Sequence, residues 1–369
     1  MRSPALRLAR GVFGQAQQTR TLTSAVEGRP ASTRSRHLMS MADVSRDELS
    51  QLVRNAAAHK QAVKTGGSLP KPLCTALRGK TVAMMFNKRS TRTRVSTEAA
   101  VALMGGHPMF LGKDDIQLGE GKKVNESLYD TSKVISSMTS CMVARVGPHS
   151  DVAGLAADSA VPVINALSDD FHPLQTIADF LTIYESIPAA KRAAGSGADL
   201  IPAGVKVAWV GDANNVLFDL AMGCVKLGVD ISVATPKGYD IPHQMARLIE
   251  AQADGVKNPG TLTQSSQPAK AIQDADYIVT DTWVSMGQEA ETKKRLADFE
   301  GYQITNDMAE RGNAAKDWKF MHCLPRHPEE VADEVFYSDR SLVFEEAENR
   351  LWAAVAALEA FVVNGGRIL

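Results

Sequence analysis

The sequence predicts an α/β protein built as two doubly wound domains with mostly parallel sheets. Three observations carry that expectation. Short apolar runs with strand character recur at 81–86, 141–146, 161–166, 205–210, 231–235, 277–281 and 320–324, with helical patterns between most of them. Such alternation builds parallel sheets covered by helices. The stretch 191–204, KRAAGSGADLIPAG, holds three glycines and a proline with little periodicity, which marks a boundary. It splits the chain into halves at about 37–190 and 200–340. Finally, 369 residues, 44% apolar and 22% charged, exclude wholesale disorder and collagen-like repeats. At roughly 150 residues per domain that length favours two domains.

The charge is unevenly spread. Residues 1–36 carry seven arginines, no lysine and the single acid Glu27, among many Ser, Thr and Ala. No unbroken apolar h-region of the secretory kind interrupts them. Arg-rich, acid-poor and amphipathic is the pattern of a mitochondrial transit peptide, which places the mature chain in the matrix; a plain basic tail is the blander reading. Without this leader the net charge falls from −1 to −7, so any basic site must be local. Neither that balance nor any basic or aromatic patch argues for nucleic acid. No apolar run reaches the ~18 residues of a membrane span. Cys74, Cys141, Cys224 and Cys323 are widely separated, which argues against a disulfide framework. The eight histidines show no ligand spacing, so no metal is expected.

Each element has a local reason. Ser45-Arg46-Asp47-Glu48 has the form of a capping box and opens a helix to about Val63, stopped by Thr65-Gly66-Gly67. The strand 81–86 leads into a helix over 91–104 that ends at Gly105-Gly106. Pro173 sits where a first helical turn tolerates it, so His172 lies at a helix start with Gln175 one turn on. A strong helical pattern runs from Glu345 to about Val363 and is free to pack on either half.

The sharpest chemical signal is STRTR at 90–94. A helix start exposes unpaired N–H groups and the positive end of the macrodipole. Ser90, Thr91 and Thr93 add hydroxyls there, and Lys88, Arg89, Arg92 and Arg94 add charge in a form suited to phosphate. Two nucleotide motifs fail. Gly79-Lys80-Thr81 would need its first P-loop glycine at Cys74, and GDANNV at 211–216 has one glycine where a dinucleotide fingerprint needs three. That loop is better read as holding a small polar ligand through Asn214 or Asn215. Arg145 ends an otherwise apolar strand and is costly to bury unless it is paired or holds an anion. Taken alone, His172 reads as a helix cap, Asp281 as a turn residue and Cys323 as a small core residue.

Taken together, STRTR, HPLQ (172–175), DTWVSMG (281–287), HCLPR (322–326) and EAENR (346–350) stand in an order that resembles the transcarbamylase family over about 37–360. The resemblance implies two α/β domains bridged by helices, a homotrimer, and transfer of the carbamoyl group of carbamoyl phosphate to L-ornithine without a cofactor. It joins the C-terminal helix, 345–369, to the first domain. It implies that Ser90, Thr91, Arg92, Thr93, Arg145, His172 and Gln175 hold carbamoyl phosphate, completed by Cys323, Leu324 and Arg350. By the same resemblance Gln117 contacts a neighbouring subunit's substrate. Asn215, Asp281, Ser285 and Met286 receive ornithine, and the 285–287 loop closes over it. Two departures from the family pattern are the segment Gly121-Lys122-Lys123, near Gln117, and Ala213 in the GDxNN loop. Arg92 and Arg145 would stabilise the leaving phosphate. His172, Arg145 and Thr93 would polarise the carbamoyl oxygen. Asp281 and Cys323 would orient the attacking amine, with Cys323 the expected proton acceptor. A transferase for another amine, a nucleotide-dependent oxidoreductase and a non-catalytic binding relative are the rival readings.

Overall fold

Strand-like runs pair as the pattern requires in the computed structural model, which describes residues 35–113, 126–194, 199–284 and 289–369. In the first lobe β1 (Thr81–Phe86), β2 (His107–Gly112), β3 (Cys141–Arg145) and β4 (Val163–Leu167) form a wholly parallel sheet of order β2-β1-β3-β4. In the second, β5 (Lys206–Val210), β6 (Asp230–Ala234), β7 (Leu262–Ser265), β8 (Tyr277–Thr280) and β9 (Lys319–His322) are also parallel, in the order β7-β6-β5-β8-β9. The edge strands β2 and β7 were not anticipated from the sequence.

Helices cover both faces of the first sheet. They are α1 (Arg46–Gly66), α2 (Thr91–Leu103), α3 (Leu128–Met138), α4 (His149–Asp158) and α5 (Pro173–Ser186). Along β1 the side chains alternate. Val82, Met84 and Phe86 join a core with α1 and α5, while Ala83 and Met85 join a second core with α4. After the short α6 (Ala189–Ala194), the second sheet is flanked by α7 (Asn215–Leu227), α8 (His243–Glu250), α9 (Pro268–Ile272), α10 (Thr292–Asp298), α11 (Asn306–Arg311) and α12 (Asp333–Phe336). The last helix, α13 (Val343–Leu358), returns to pack on α1, α2 and α5 and continues as a π-turn to Val363.

One buried cluster therefore runs through both sheets, from Val82 and Val143 through Ile177, Phe180 and Leu217 to Trp209 and Val279, and includes Trp352 of α13. The Ser45–Glu48 capping box is present, and α1 runs three residues further than expected, to Gly66, with Gly67 left-handed at φ 77°. The packed region starts earlier than the sequence suggests. Arg36, assigned to the leader, donates to both oxygens of Glu48 (2.5 and 2.8 Å) and to the Gly366 carbonyl (3.0 Å). That hydrogen bond raises the Arg36 pKa and lowers that of Glu48.

Helices α5 and α7 carry site residues from different lobes, and a glycine lets them meet. A Cβ placed on Gly223 of α7 would stand 2.3 Å from Cε2 of the fully buried Phe180 of α5. Gly223→Ala is expected to cost about 1–3 kcal/mol through overpacking, read as a lower melting temperature. An unchanged melt would refute this close packing.

Candidate active site

Both sheets turn the carboxyl ends of their strands toward one cavity of about 1020 Å³, the usual location of ligands in parallel α/β sheets. From the first lobe come the start of α2, the end of β3 and the start of α5. From the second come the loop before α7 and the residues just beyond β8 and β9. Twelve of the fifteen residues singled out from the sequence line this cavity. Gln117, Ser285 and Met286 lie outside the described residues.

Ser90 is the N-cap of α2 and accepts from the Thr93 N–H (3.2 Å), which leaves Thr91 and Arg92 in the open first turn. Arg92 donates to the Leu324 carbonyl across the cavity. Leu324 sits at φ 62°, a left-handed conformation that costs a residue with a Cβ about 1–2 kcal/mol. Two hydrogen bonds hold it there, the second from its N–H to His322 Nδ1 (2.8 Å). Arg145 is 7% exposed at the end of β3, and its Nε has no partner among the described residues.

Arg350 crosses from α13 into the same space. Its Nη1 donates to Gln175 Oε1 (2.6 Å) and lies 3.3 Å from His172 Nε2, and its Nη2 reaches Thr93 Oγ1 (3.3 Å). Burial and the mutual repulsion of these guanidiniums push Arg145 and Arg350 each down to about 10, so both stay charged at neutral pH. Among the described residues, none of Arg92, Arg145 and Arg350 pairs with a carboxylate. The contrast is Arg295, equally buried, which pairs with Asp212.

His172 occupies the N-cap position of α5, yet its side chain makes no capping bond. The capping reading therefore fails. Burial, Arg350, Arg145 and Arg92 hold its ring well below the ordinary histidine pKa, so the imidazole is neutral, and Nδ1 has no partner among the described residues. Its backbone N–H is fixed by Asp219 Oδ2 (2.7 Å), whose other oxygen accepts from the Met41 N–H (2.7 Å). Burial pushes Asp219 up to about 8, against those two bonds.

On the second lobe Asn214 caps α7, accepting from Val216 and Leu217 N–H, and donates Nδ2 to Asp281 Oδ2 (2.7 Å). Asn215 is turned to the Ser168 carbonyl (2.5 Å). The Asp281 Oδ1 accepts from Cys323 Sγ at 3.0 Å. Burial and the adjacent Asp281 carboxylate push the Cys323 thiol well above its ordinary pKa. Cys323 is a donor to Asp281, and a thiol held protonated is a poor base.

Asp281, His322 and Cys323 bring potential ligand atoms within 4.8 Å of one another, a convergence invisible in sequence spacing. Both ring nitrogens of His322 are already engaged. Nδ1 accepts from Leu324, and Nε2 faces Glu330 Oε2 at 3.1 Å. Burial raises the Glu330 pKa, but hydrogen bonds from His322 and His327 outweigh it and hold the carboxylate below its usual range. Sequence reasoning missed Asp219, Glu330 and the Asn214–Asp281 bond. Only Asn214 carried a signal, as the alternative to Asn215.

Residues 36–185 match the family model of the aspartate/ornithine carbamoyltransferase carbamoyl-P binding domain, and residues 203–361 match that of its Asp/Orn binding domain. The chain belongs to the aspartate/ornithine carbamoyltransferase family. Among its relatives, the mitochondrial ornithine carbamoyltransferase of Coccidioides immitis is 64% identical over 342 residues, covering 92% of this chain and 97% of the relative. The Emericella nidulans protein of the same name is 65% identical over 334 residues, 90% of each chain. A crystal structure of the Coccidioides immitis enzyme superposes with a TM-score of 0.83 at 61% identity, covering 91% of this chain and all of that one.

The thiol's environment is directly testable. Alkylation of Cys323 at pH 7.5, followed by mass spectrometry, is expected to be slower than that of a free cysteine. Asp281→Asn removes a charge that raises the thiol pKa and should accelerate it. Equal rates in both proteins would contradict the assigned hydrogen bond.

Proposed function

We propose that the chain transfers the carbamoyl group of carbamoyl phosphate to the side-chain amine of L-ornithine, giving L-citrulline and phosphate. The observation that carries this reading is the set of three guanidiniums without a carboxylate partner, facing an Asp–thiol pair across one cavity. The phosphate of the donor carries roughly two negative charges. Arg92, Arg145 and the start of α2 bind it and stabilise it as the leaving group. The neutral His172, with Arg145, Arg350 and Thr93, polarises the carbamoyl oxygen. Gln175 and the carbonyls of Cys323 and Leu324 orient the carbamoyl amide.

Ornithine enters over Asn215 and Asp281, with Ser285 and Met286 completing its pocket and Gln117 reaching a neighbouring subunit's substrate. Its side-chain ammonium, with a pKa of ~10, must lose a proton before attack. The Asp281 carboxylate, held by Asn214 and Cys323, accepts that ammonium's hydrogen bond and takes the proton. Nitrogen then adds to the carbamoyl carbon, the C–O bond to phosphate breaks, and phosphate leaves with the electron pair and takes up the second proton of the attacking nitrogen. The lobe holding β1–β4, with α13, is the carbamoyl phosphate domain, and the lobe holding β5–β9 is the ornithine domain.

The arginine-rich leader and the mitochondrial relatives support action in the mitochondrial matrix. The homotrimer that the resemblance implies needs a surface for association, and the first lobe exposes apolar side chains suited to one, among them Met138 (70%), Val95 (61%) and Tyr129 (55%).

Protein lacking residues 1–34 should form citrulline from carbamoyl phosphate with L-ornithine and not with aspartate, putrescine or acetylornithine. It should sediment at three times the chain mass. Arg92→Ala is expected to lower kcat/KM about a hundredfold or more. Near-normal turnover of that variant would remove the phosphate assignment, and turnover of a different amine would remove the ornithine pocket.

A further inference from the structure

Behind the guanidinium cluster lies a buried polar group whose two carboxyls the reaction itself does not use. Gln175 and Asp179 are an i, i+4 pair on α5, and Glu346 and Arg350 are an i, i+4 pair on α13. The two helices pack together, so the four side chains meet with at most 3% exposure each. Gln175 Nε2 donates to both carboxyls, to Asp179 Oδ1 at 2.7 Å and to Glu346 Oε1 at 2.9 Å. With both amide hydrogens committed there, Oε1 of Gln175 is left to receive Arg350 at 2.6 Å. Glu346 Oε2 accepts from the His322 N–H at 2.9 Å, one residue before Cys323.

Asp179 Oδ2 is buried with no donor among the described residues, and the two carboxyls are in side-chain contact with each other. Two ionised carboxylates in contact repel, whereas one proton between them turns the contact into a strong hydrogen bond. Burial pushes both carboxyls up, and their contact raises Glu346 further while lowering Asp179, as one proton between two carboxyls requires. The charged neighbours are Arg350, which favours the anion, and Asp281, which opposes it. The thiols of Cys224 and Cys323 flank the pair. On α1, His59 and Lys60 are taken up by Glu359 and Glu185. Glu346 already has a donor on each oxygen, whereas Oδ2 of Asp179 has none among the described residues, so the shared proton lies between that oxygen and Glu346.

We propose that Asp179 and Glu346 are positioning residues which share a single proton between them, and so lock the Gln175 amide in the one orientation that aims Arg350 and Gln175 at the substrate. The proposal rests on the carbamoyl-transfer reading for what is aimed at, but not for the proton itself. An Asn at 179 reproduces the protonated form, with an N–H toward Glu346 and an oxygen toward Gln175. A Gln at 346 cannot serve, because its amide NH₂ must confront either Gln175 Nε2 or the His322 N–H, donor against donor.

The test has two parts. At pH 7, the infrared difference between the ligand-free unmodified chain and Asp179→Asn should show the carbonyl band of a buried protonated carboxyl, separate from that of Asp219, which both proteins keep. In steady-state kinetics, Asp179→Ala and Glu346→Gln should each lower kcat/KM for carbamoyl phosphate about a hundredfold, and Asp179→Asn should recover turnover to within about tenfold of the unmodified chain. Lack of the band, or an equal loss in Asp179→Asn and Asp179→Ala, overturns the proposal. Should Glu346→Gln fail to fold, the band and the Asn-against-Ala comparison still decide. A band present in a chain that forms no citrulline would leave the shared proton standing and remove the carbamoyl-transfer reading instead.

Discussion

Three positive charges drawn together in a largely dehydrated cleft are costly, and much of the architecture around them serves to hold them there. Arg92 comes from the first turn of α2, Arg145 from the end of β3 and Arg350 from the middle of α13. Neutral acceptors supply the hydrogen bonds the structure gives them: the Leu324 carbonyl, Gln175, His172 and Thr93. A carboxylate partner would have made each more stable and left no net charge for a ligand. Arg295 shows that alternative within the same chain, paired with Asp212 and stacked over Tyr239.

The fold keeps this arrangement by pinning the neutral partners rather than the arginines alone. Asp219 fixes the backbone at His172, and the Asp179–Glu346 pair fixes Gln175. His322 fixes the unusual conformation of Leu324. Each of these supports lies in a different element, and α13 ties the first lobe to the end of β9. The shared core through both sheets makes the cleft one rigid vault with its polar residues at the strand ends. Across it lies the carboxyl of Asp281, held by the donors Asn214 and Cys323 and without a cationic partner among the described residues.

Much of the fold was legible because buried parallel strands are apolar runs and their helices carry ordinary caps. The edge strands β2 and β7 escaped notice for a physical reason. Each pairs on one side only, so HPMFLG tolerates Pro108 and LTQS tolerates polar side chains. The leader reading overshot at Arg36, since one arginine among seven looks the same whether or not Glu48 waits to bind it. At the site, the STRTR helix start and the arginine closing β3 were readable from local chemistry. Arg350 was placed by resemblance alone, because no local pattern tells a helix that one face will meet residues more than 170 positions earlier. The Cys323–Asp281 hydrogen bond was not foreseen, because burial and the fold, not sequence, bring the thiol onto the carboxylate. The i, i+4 pairs Gln175–Asp179 and Glu346–Arg350 were present in the sequence all along, but their meaning depends on two helices packing face to face.

The central claim is that the guanidinium cluster is built for an anion and is held at a cost to the empty protein. Melting temperatures of the unmodified chain and of Arg145→Gln, each with and without carbamoyl phosphate, test it most directly. The account predicts that Arg145→Gln melts no lower than the unmodified chain when empty and gains nothing from the ligand, while the unmodified chain is stabilised by it. An empty Arg145→Gln protein that melts lower, yet gains as much from the ligand, would contradict it.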